Sequence, residues 1–393
     1  MINLNGRTEN FKYVLLVCFH TMMMCTGFNY VTLYLLGSDI TDRAIGILIS
    51  VSCLAAVFIQ QVAGRAVDQG KLGRKIFLIC MAAIEIVVGL VVAFCPSGIV
   101  KAVFFGLLLC ITMVIQPILN SFPFLYEERG LVVNYGVARG FGSLCFSGCS
   151  IFLGFMALQA GLRVIPLAYV ALGALFLAVM CFMPNLTREG ASDADDFREK
   201  RKSFPRIPAF FWMLAGLSLV MLCHNMTMTY FIHVIERAGG DSSHLGIANG
   251  IAAVVEIPVL FLYTKVKGNR SSGMFLTISG IAFLTKAVLF VFAHNIWMIY
   301  GIQCLQCLAY GLMAASRVYY VDEVVGKEYE STGQAYISAT ETLGIVLGST
   351  IGGLIMNGSG INTLLITAAV LCLAGVACMF ISSNKSEVGY WKK

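Results

Sequence analysis

Residues 134–154 read NYGVARGFGSLCFSGCSIFLG. The stretch is apolar and rich in Gly, Ser and Cys. It is long enough to cross a hydrocarbon core roughly 30 Å thick, which takes about 20 residues of helix. Near its start lies one arginine, Arg139. A charge at mid-depth in a bilayer costs about 3 kcal/mol or more. Either the Arg139 side chain reaches back to the interface, or the protein needs a cation there.

The rest of the chain repeats this pattern. Of 393 residues, 58% are hydrophobic and only 12% are charged, against about 25% charged in a soluble domain. Apolar runs of spanning length recur from end to end and do not alternate, which excludes a barrel and leaves helices as the form whose backbone is satisfied in lipid. The fourteen cysteines lie mostly inside these runs, where Cys acts as a small hydrophobe. They show neither disulfide nor zinc spacing, and no cofactor is expected. The first run, 11–36, is too long for a signal-peptide core and is read as a spanning helix.

Twelve spans are expected, at about 11–36, 44–65, 75–95, 99–126, 134–160, 163–184, 208–236, 243–264, 272–293, 296–321, 331–357 and 361–382. Residues 185–208 form a polar linker of mixed charge. The chain thus divides into an N-terminal six-helix half (1–184), the linker (185–208), and a C-terminal six-helix half with a short tail (209–393). With the N-terminus placed in the cytoplasm, 20 of the 27 Lys and Arg fall on that side and 4 on the other. The remaining three, Arg139, Lys286 and Arg317, lie within spans. This bias predicts a multi-pass protein of the cell membrane, inner or plasma, with both termini cytoplasmic. It also accounts for the net charge of +6 without a nucleic-acid partner.

The halves echo each other. Ile45-Gly46-Ile47 opens span 2 and Leu245-Gly246-Ile247 opens span 8, while Tyr135-Gly136 and Thr332-Gly333 open spans 5 and 11. Self-similarity between two helical halves is a mark of transporters. The loop after span 2, Gly64-Arg65-Ala66-Val67-Asp68 followed by Gly73-Arg74-Lys75, resembles the signature loop of the major facilitator superfamily, with two extra residues between Asp68 and Gly73. Gly64 is expected to let two helices approach closely, and Asp68 and Arg74 to act as a conformational latch. Tyr135-Gly136-Val137-Ala138-Arg139, Glu256-Ile257-Pro258, Tyr320-Val321-Asp322 and Thr332-Gly333-Gln334-Ala335 resemble the group that contains lactose permease and the phenylpropionate and nucleoside proton symporters. The resemblance implies the major facilitator fold, with Arg139 and Glu256 as substrate contacts and Lys286 at the span-9 position that assists the proton step. Two departures stand out. Asn120 replaces the acidic residue of span 4, and span 10 carries Cys307, Tyr310 and Met313 where a His and a Glu are expected. Lactose is therefore not the expected substrate.

Six formal charges lie within spans: Glu85, Arg139, Glu256, Lys286, Arg317 and Glu341. Three of each sign can pair, and paired buried ions are far less costly than isolated ones. Glu256 lies well inside span 8, two residues before Pro258, which frees a backbone carbonyl and bends the helix. Arg139 lies only about five residues, roughly 8 Å, into span 5, so snorkelling competes with a ligand role. Glu256, Lys286, Glu341 and Glu85 are candidates for proton coupling. Arg317, close to Asp322 and Glu323, is a candidate gate. Asn29 and Asn120 are candidate substrate contacts, and His20 and His224 are read as packing residues.

The expected fold class is an all-α polytopic membrane protein of twelve transmembrane helices in two pseudo-symmetric halves. The expected function is secondary active transport of a small polar organic solute (sugar, nucleoside or organic acid) by alternating access, coupled to protons, with the protein a monomer in the bilayer. No GxxxxGK[ST] motif signals ATP drive, and no nucleophile–base set signals an enzyme. The alternatives are proton-driven efflux of drugs or metabolites and a non-transporting receptor or scaffold.

Overall fold

The structure is a computed structural model that describes residues 6–68, 73–127, 129–131, 133–185, 205–326 and 329–390. Among them every regular element is helical. The helices are α1 (Gly6–Met24), α2 (Val31–Leu36), α3 (Asp42–Asp68), α4 (Arg74–Phe94), α5 (Gly98–Asn120), α6 (Phe122–Glu127), α7 (Tyr135–Ala160) and α8 (Val164–Cys181). They continue with α9 (Pro208–Thr229), α10 (Phe231–Arg237), α11 (Ser242–Lys267), α12 (Ser272–Val291), α13 (Ile296–Cys304), α14 (Tyr310–Val324) and α15 (Glu330–Tyr390). Eleven stretches are long and apolar enough to cross a membrane. The last covers 52 residues and breaks at Gly360, whose φ of 75° suits only a residue without a side chain. It therefore supplies two spans, and the described residues make twelve.

Short polar caps let apolar helices follow one another closely. The side chains of Asn134, Asp241, Ser271 and Asn295 accept backbone N–H groups in the first turns of α7, α11, α12 and α13. Such caps satisfy donors that a helix start would otherwise leave unpaired. The outward faces are apolar. On α3, Val51, Phe58 and Val62 recur at helical spacing and are 60–70% exposed, as a lipid-facing stripe requires.

The chain forms two compact units: Met1–Ile40 with Val51–Arg201, and Thr41–Ser50 with Lys202–Lys393. In the first, span 1 is tied to its neighbours through tyrosines. Tyr30 donates to the Ser150 carbonyl (2.5 Å) and Tyr34 to the Val92 carbonyl (2.7 Å). At the linker end, the hydroxyl of Tyr126 reaches buried Glu9 (2.8 Å), which also pairs with Lys12. In the second unit α9 lies against α15 along Gly344, Gly348 and Gly352, a four-residue repeat. A Cβ added at Gly348 would stand 2.8 Å from both the Leu222 carbonyl oxygen and the Met226 amide. Without a hydrophobic effect between helices in lipid, such close backbone contact is the main source of attraction. Gly348→Val is accordingly expected to cost about 1–3 kcal/mol, measured as a lower unfolding temperature in detergent.

The interrupted helices fall at regular intervals. Span 1 passes through a π turn at Cys25–Asn29. Span 4 breaks at Ser121, between Pro117 and Pro123. Span 7 ends at Thr229 and turns at Tyr230 before α10, earlier than the expected residue 236. Span 10 breaks between Cys304 and Tyr310 through a 3-10 turn, Leu305–Cys307. Each is the first helix of a set of three, so each unit is itself doubled. Broken helices with polar residues at the breaks mark carrier sites.

Candidate functional site

The breaks place polar side chains where a continuous apolar helix would present none. Asn29 closes the π turn of span 1 and Asn120 ends α5, and both are partly exposed. Asn120 lines a cavity of about 460 Å³ in the first unit, together with Pro123, Phe124, Glu127, Leu131 and Tyr135. That volume lies within the range of small-molecule pockets. Arg139, one turn beyond Tyr135 on α7, is exposed, and its guanidinium makes no ion pair among the described residues.

Glu85 is placed differently. It is fully buried between α4, α5 and α8, where one carboxyl oxygen receives Thr112 (2.9 Å) and Tyr169 (2.8 Å). The Thr112 and Tyr169 hydroxyls also bond each other. The other Glu85 oxygen has no partner, and no cation pairs with this carboxyl among the described residues. His20 is buried beside Phe176, with neither ring nitrogen hydrogen-bonded among the described residues. It packs without the hydrogen bond expected of an intramembrane histidine.

The second unit collects the other four intramembrane charges, two of each sign. The break in span 10 carries Gln306, whose carbonyl receives a hydrogen bond from the Lys286 ammonium on α12. Ser279, two turns earlier on α12, donates to the Ala309 carbonyl (2.6 Å) at the end of the same break, which also accepts the Met313 amide (3.2 Å). Glu256 on α11 acts electrostatically on Lys286. Gly311 packs over it: a Cβ there would lie 3.3–3.5 Å from the Glu256 Cα, Cβ and Cγ. Only a small residue at the restart of the helix leaves room for this carboxylate. His224 on α9 stands between Phe283 (5.2 Å) and Tyr310 (5.8 Å). Beside it is a cavity of about 10 Å³ lined by Cys223, Thr227, Lys286 and Phe290, about the room of one water. Tyr310 donates to Glu341 (3.4 Å), which forms an ion pair with Arg317.

Arg317 therefore pairs with Glu341 and not with Asp322 or Glu323, its neighbours in sequence. Asp322 is exposed. Glu323 instead binds Lys267 (2.8 Å) and caps α12 through the Ser272 amide and hydroxyl (both 2.8 Å). The reason is helical phase. Asp322 lies five residues beyond Arg317 and leaves its face, whereas Glu341 comes from α15. The signature-loop residues also require a correction. A Cβ at Gly64 would meet nothing within 4 Å among the described residues, so the expected close approach is not made there. On the same helix it is Gly46 that has no space, against the Ser349 carbonyl and the Tyr230 hydroxyl. Arg74 is buried, and the carboxyl of Asp68 lies outside what the structure describes. Sequence reasoning passed over Gln306 and Gln303, the latter fully buried with no hydrogen-bond partner among the described residues, and noted Tyr310 only as a departure from the family pattern. Neutral residues in an apolar run carry no charge signal, and the break beside them, Leu305–Cys307, contains neither Pro nor Gly.

Among the described residues, twelve spans, interrupted helices at every third position and charges of both signs inside the second unit define a helical membrane protein of the major facilitator fold. The chain belongs to the MFS_1-like family, whose model matches residues 10–366. Over 194 residues it is 24% identical to a Deinococcus radiodurans protein whose name proposes it as a sugar efflux transporter, covering 47% of each chain. The chain thus spans about half the length of that relative. Bacillus subtilis YwbF, named as an uncharacterized transporter, is 23% identical over 344 residues, covering 86% of this chain and 84% of that one. Among solved structures, the nucleoside transporter NupG shares the fold at a TM-score of 0.76 and 14% identity, with 96% of this chain and 98% of that one covered.

Proposed function

We propose that this major facilitator transporter is a proton-coupled symporter for a small polar organic solute, a sugar, nucleoside or organic acid, working by alternating access in the cell membrane as a monomer with both termini cytoplasmic. The observation that carries this reading is the compensated set Glu256, Lys286, Arg317 and Glu341 around the broken span 10. Apolar side chains would pack the same volume without the desolvation cost of four ions. Charges kept inside a membrane protein serve substrate or ion movement. Arg139 and Glu256 serve as substrate contacts, with Asn120 and Asn29 adding hydrogen bonds. A guanidinium fork suits a pair of hydroxyls or a carboxylate. Glu256 carries the coupling proton, with Lys286 as the cation that competes for it. Glu341 and Glu85 are the other carboxyls in reach of such a role.

A thermal-shift panel of sugars, nucleosides and aromatic acids on the purified protein comes first, and any hit is then used as radiolabelled solute. Glu256→Gln is expected to abolish uphill uptake driven by a pH gradient while solute counterflow survives. Full uphill uptake by this variant would remove Glu256 from coupling. The likeness to a relative named for sugar efflux favours a second reading, export. Everted vesicles separate the two, because a symporter and an exporter load them in opposite directions under the same gradient.

A further inference from the structure

The first turns of span 2 belong to the second unit, as the segment Thr41–Ser50. The cause is a set of specific contacts at the end of that unit away from Pro208. The imidazole of His233, on α10, has its Nε2 2.9 Å from Asp42 Oδ1 and its Nδ1 3.4 Å from Glu236 Oε2. A neutral imidazole offers one N–H and one lone pair. Two carboxylates, one at each ring nitrogen, are matched only by the ring with both nitrogens protonated. Around this group, the Tyr230 hydroxyl lies 3.1 Å from the Asp42 carbonyl and 2.8 Å from the Ser349 carbonyl. Ser50 bonds Thr350 (2.6 Å) and the Val346 carbonyl (2.7 Å) on α15.

We infer that Asp42, His233 and Glu236 form a proton-binding latch, which holds the start of span 2 against α10 and α15 while the imidazole is charged and releases it when the proton leaves. The inference goes beyond the proton-coupling reading and rests on it only for its part in transport. The titratable and charged groups facing His233 are Asp42 from α3 and Glu236 from its own helix. Arg237 is turned away, its guanidinium on the Asn362 side chain and the Phe290 and Ala293 carbonyls. Asp241 is engaged at the start of α11 with Ser243 and His244. From α15, Ser349 and Gly353 pack against Tyr230 and the Asp42 backbone, and neither titrates. α10 lies beyond the span that ends at Thr229.

Burial works against the charged ring, but the hydrogen bonds and charges of Asp42 and Glu236 outweigh it and raise His233 to about 9. A raised value means that the latch is fully present below the ordinary histidine range and is lost as pH rises through about 9. When Asp42 moves off, the ring loses its principal partner and its proton affinity falls toward the ordinary value. Opening therefore releases a proton on the face away from the linker, and binding a proton there favours closure. In a symporter this would link the proton to the step that closes that face.

The test is hydrogen–deuterium exchange of peptides covering residues 42–50 in the purified full chain, corrected for intrinsic rates. In the unmodified protein, protection is expected to be steady near about pH 7 and to fall about tenfold or more above about pH 9. His233→Gln is expected to lack that protection already near neutral pH, and Asp42→Asn to shift the loss to lower pH. Protection that stays unchanged through about pH 10 in the unmodified protein overturns the latch, and that measurement stands even if a variant fails to fold. Protection in His233→Gln equal to that of the unmodified protein does the same. The coupling reading fails separately: uphill uptake insensitive to a proton gradient sinks it, whatever the exchange profile shows.

Discussion

Replacing Arg317 with Met is expected to destabilise the protein by about 3 kcal/mol, the lower end of the range for breaking a buried ion pair. The pair justifies that end of the range, because its side chains are 21% and 29% exposed. The loss comes less from the missing attraction than from Glu341, which would keep a carboxylate at mid-span with only the Tyr310 hydroxyl as a donor among the described residues. The double variant Arg317→Met with Glu341→Leu removes both ions and is expected to recover most of the loss. Thermal unfolding in detergent of the unmodified chain, both single variants and the double variant closes the cycle. If the double variant loses the sum of the two single losses, the residues do not act as a pair and the electrostatic account of span 10 fails.

Lys286→Met is expected to reduce proton-driven accumulation at least tenfold, about 1.4 kcal/mol or more at the coupling step. Lys286 is 3% exposed and has two tasks, donating to Gln306 in the broken turn and opposing the charge of Glu256. Methionine keeps the length of the side chain and abolishes both. The Gln306 oxygen is then left buried without its donor, a cost of about 1–3 kcal/mol, and Glu256 loses a cation that favours its charged form. Adding Glu256→Gln should relieve the second effect and return only part of the lost thermal stability, because the Gln306 oxygen still lacks its donor, and it should not return accumulation. Accumulation by Lys286→Met equal to that of the unmodified chain would show that this cation has no part in coupling.

How much of this could be read from the chain differs by residue. The twelve spans follow from run length alone, since a bilayer sets the number of apolar residues a helix needs and leaves no other satisfied backbone. The intramembrane charges were equally legible, because an ion inside an apolar run is costly wherever its partner is. Their partners were not. Arg317 has Asp322 and Glu323 within six positions, yet its bond goes to Glu341, 24 residues away. Lys286 faces Glu256 electrostatically, but its hydrogen bond goes to neutral Gln306, a partner that hydropathy does not mark. His233 gave no signal, since neither Asp42, 191 residues distant, nor the end of span 7 at Thr229 can be inferred from hydropathy.

Local chemistry thus determined the number, the course and the apolar faces of the helices, because these depend on the bilayer and on each segment's own residues. The awkward cation Arg139 was visible for the same reason. Tertiary structure decided which charges compensate one another, where the first helix of each triplet breaks, and which glycines are required. Those outcomes depend on backbone approach between segments far apart in sequence. Gly64 and Gly46 on one helix show the difference. The signature loop drew attention to Gly64, which stands in open space, while packing alone singles out Gly46.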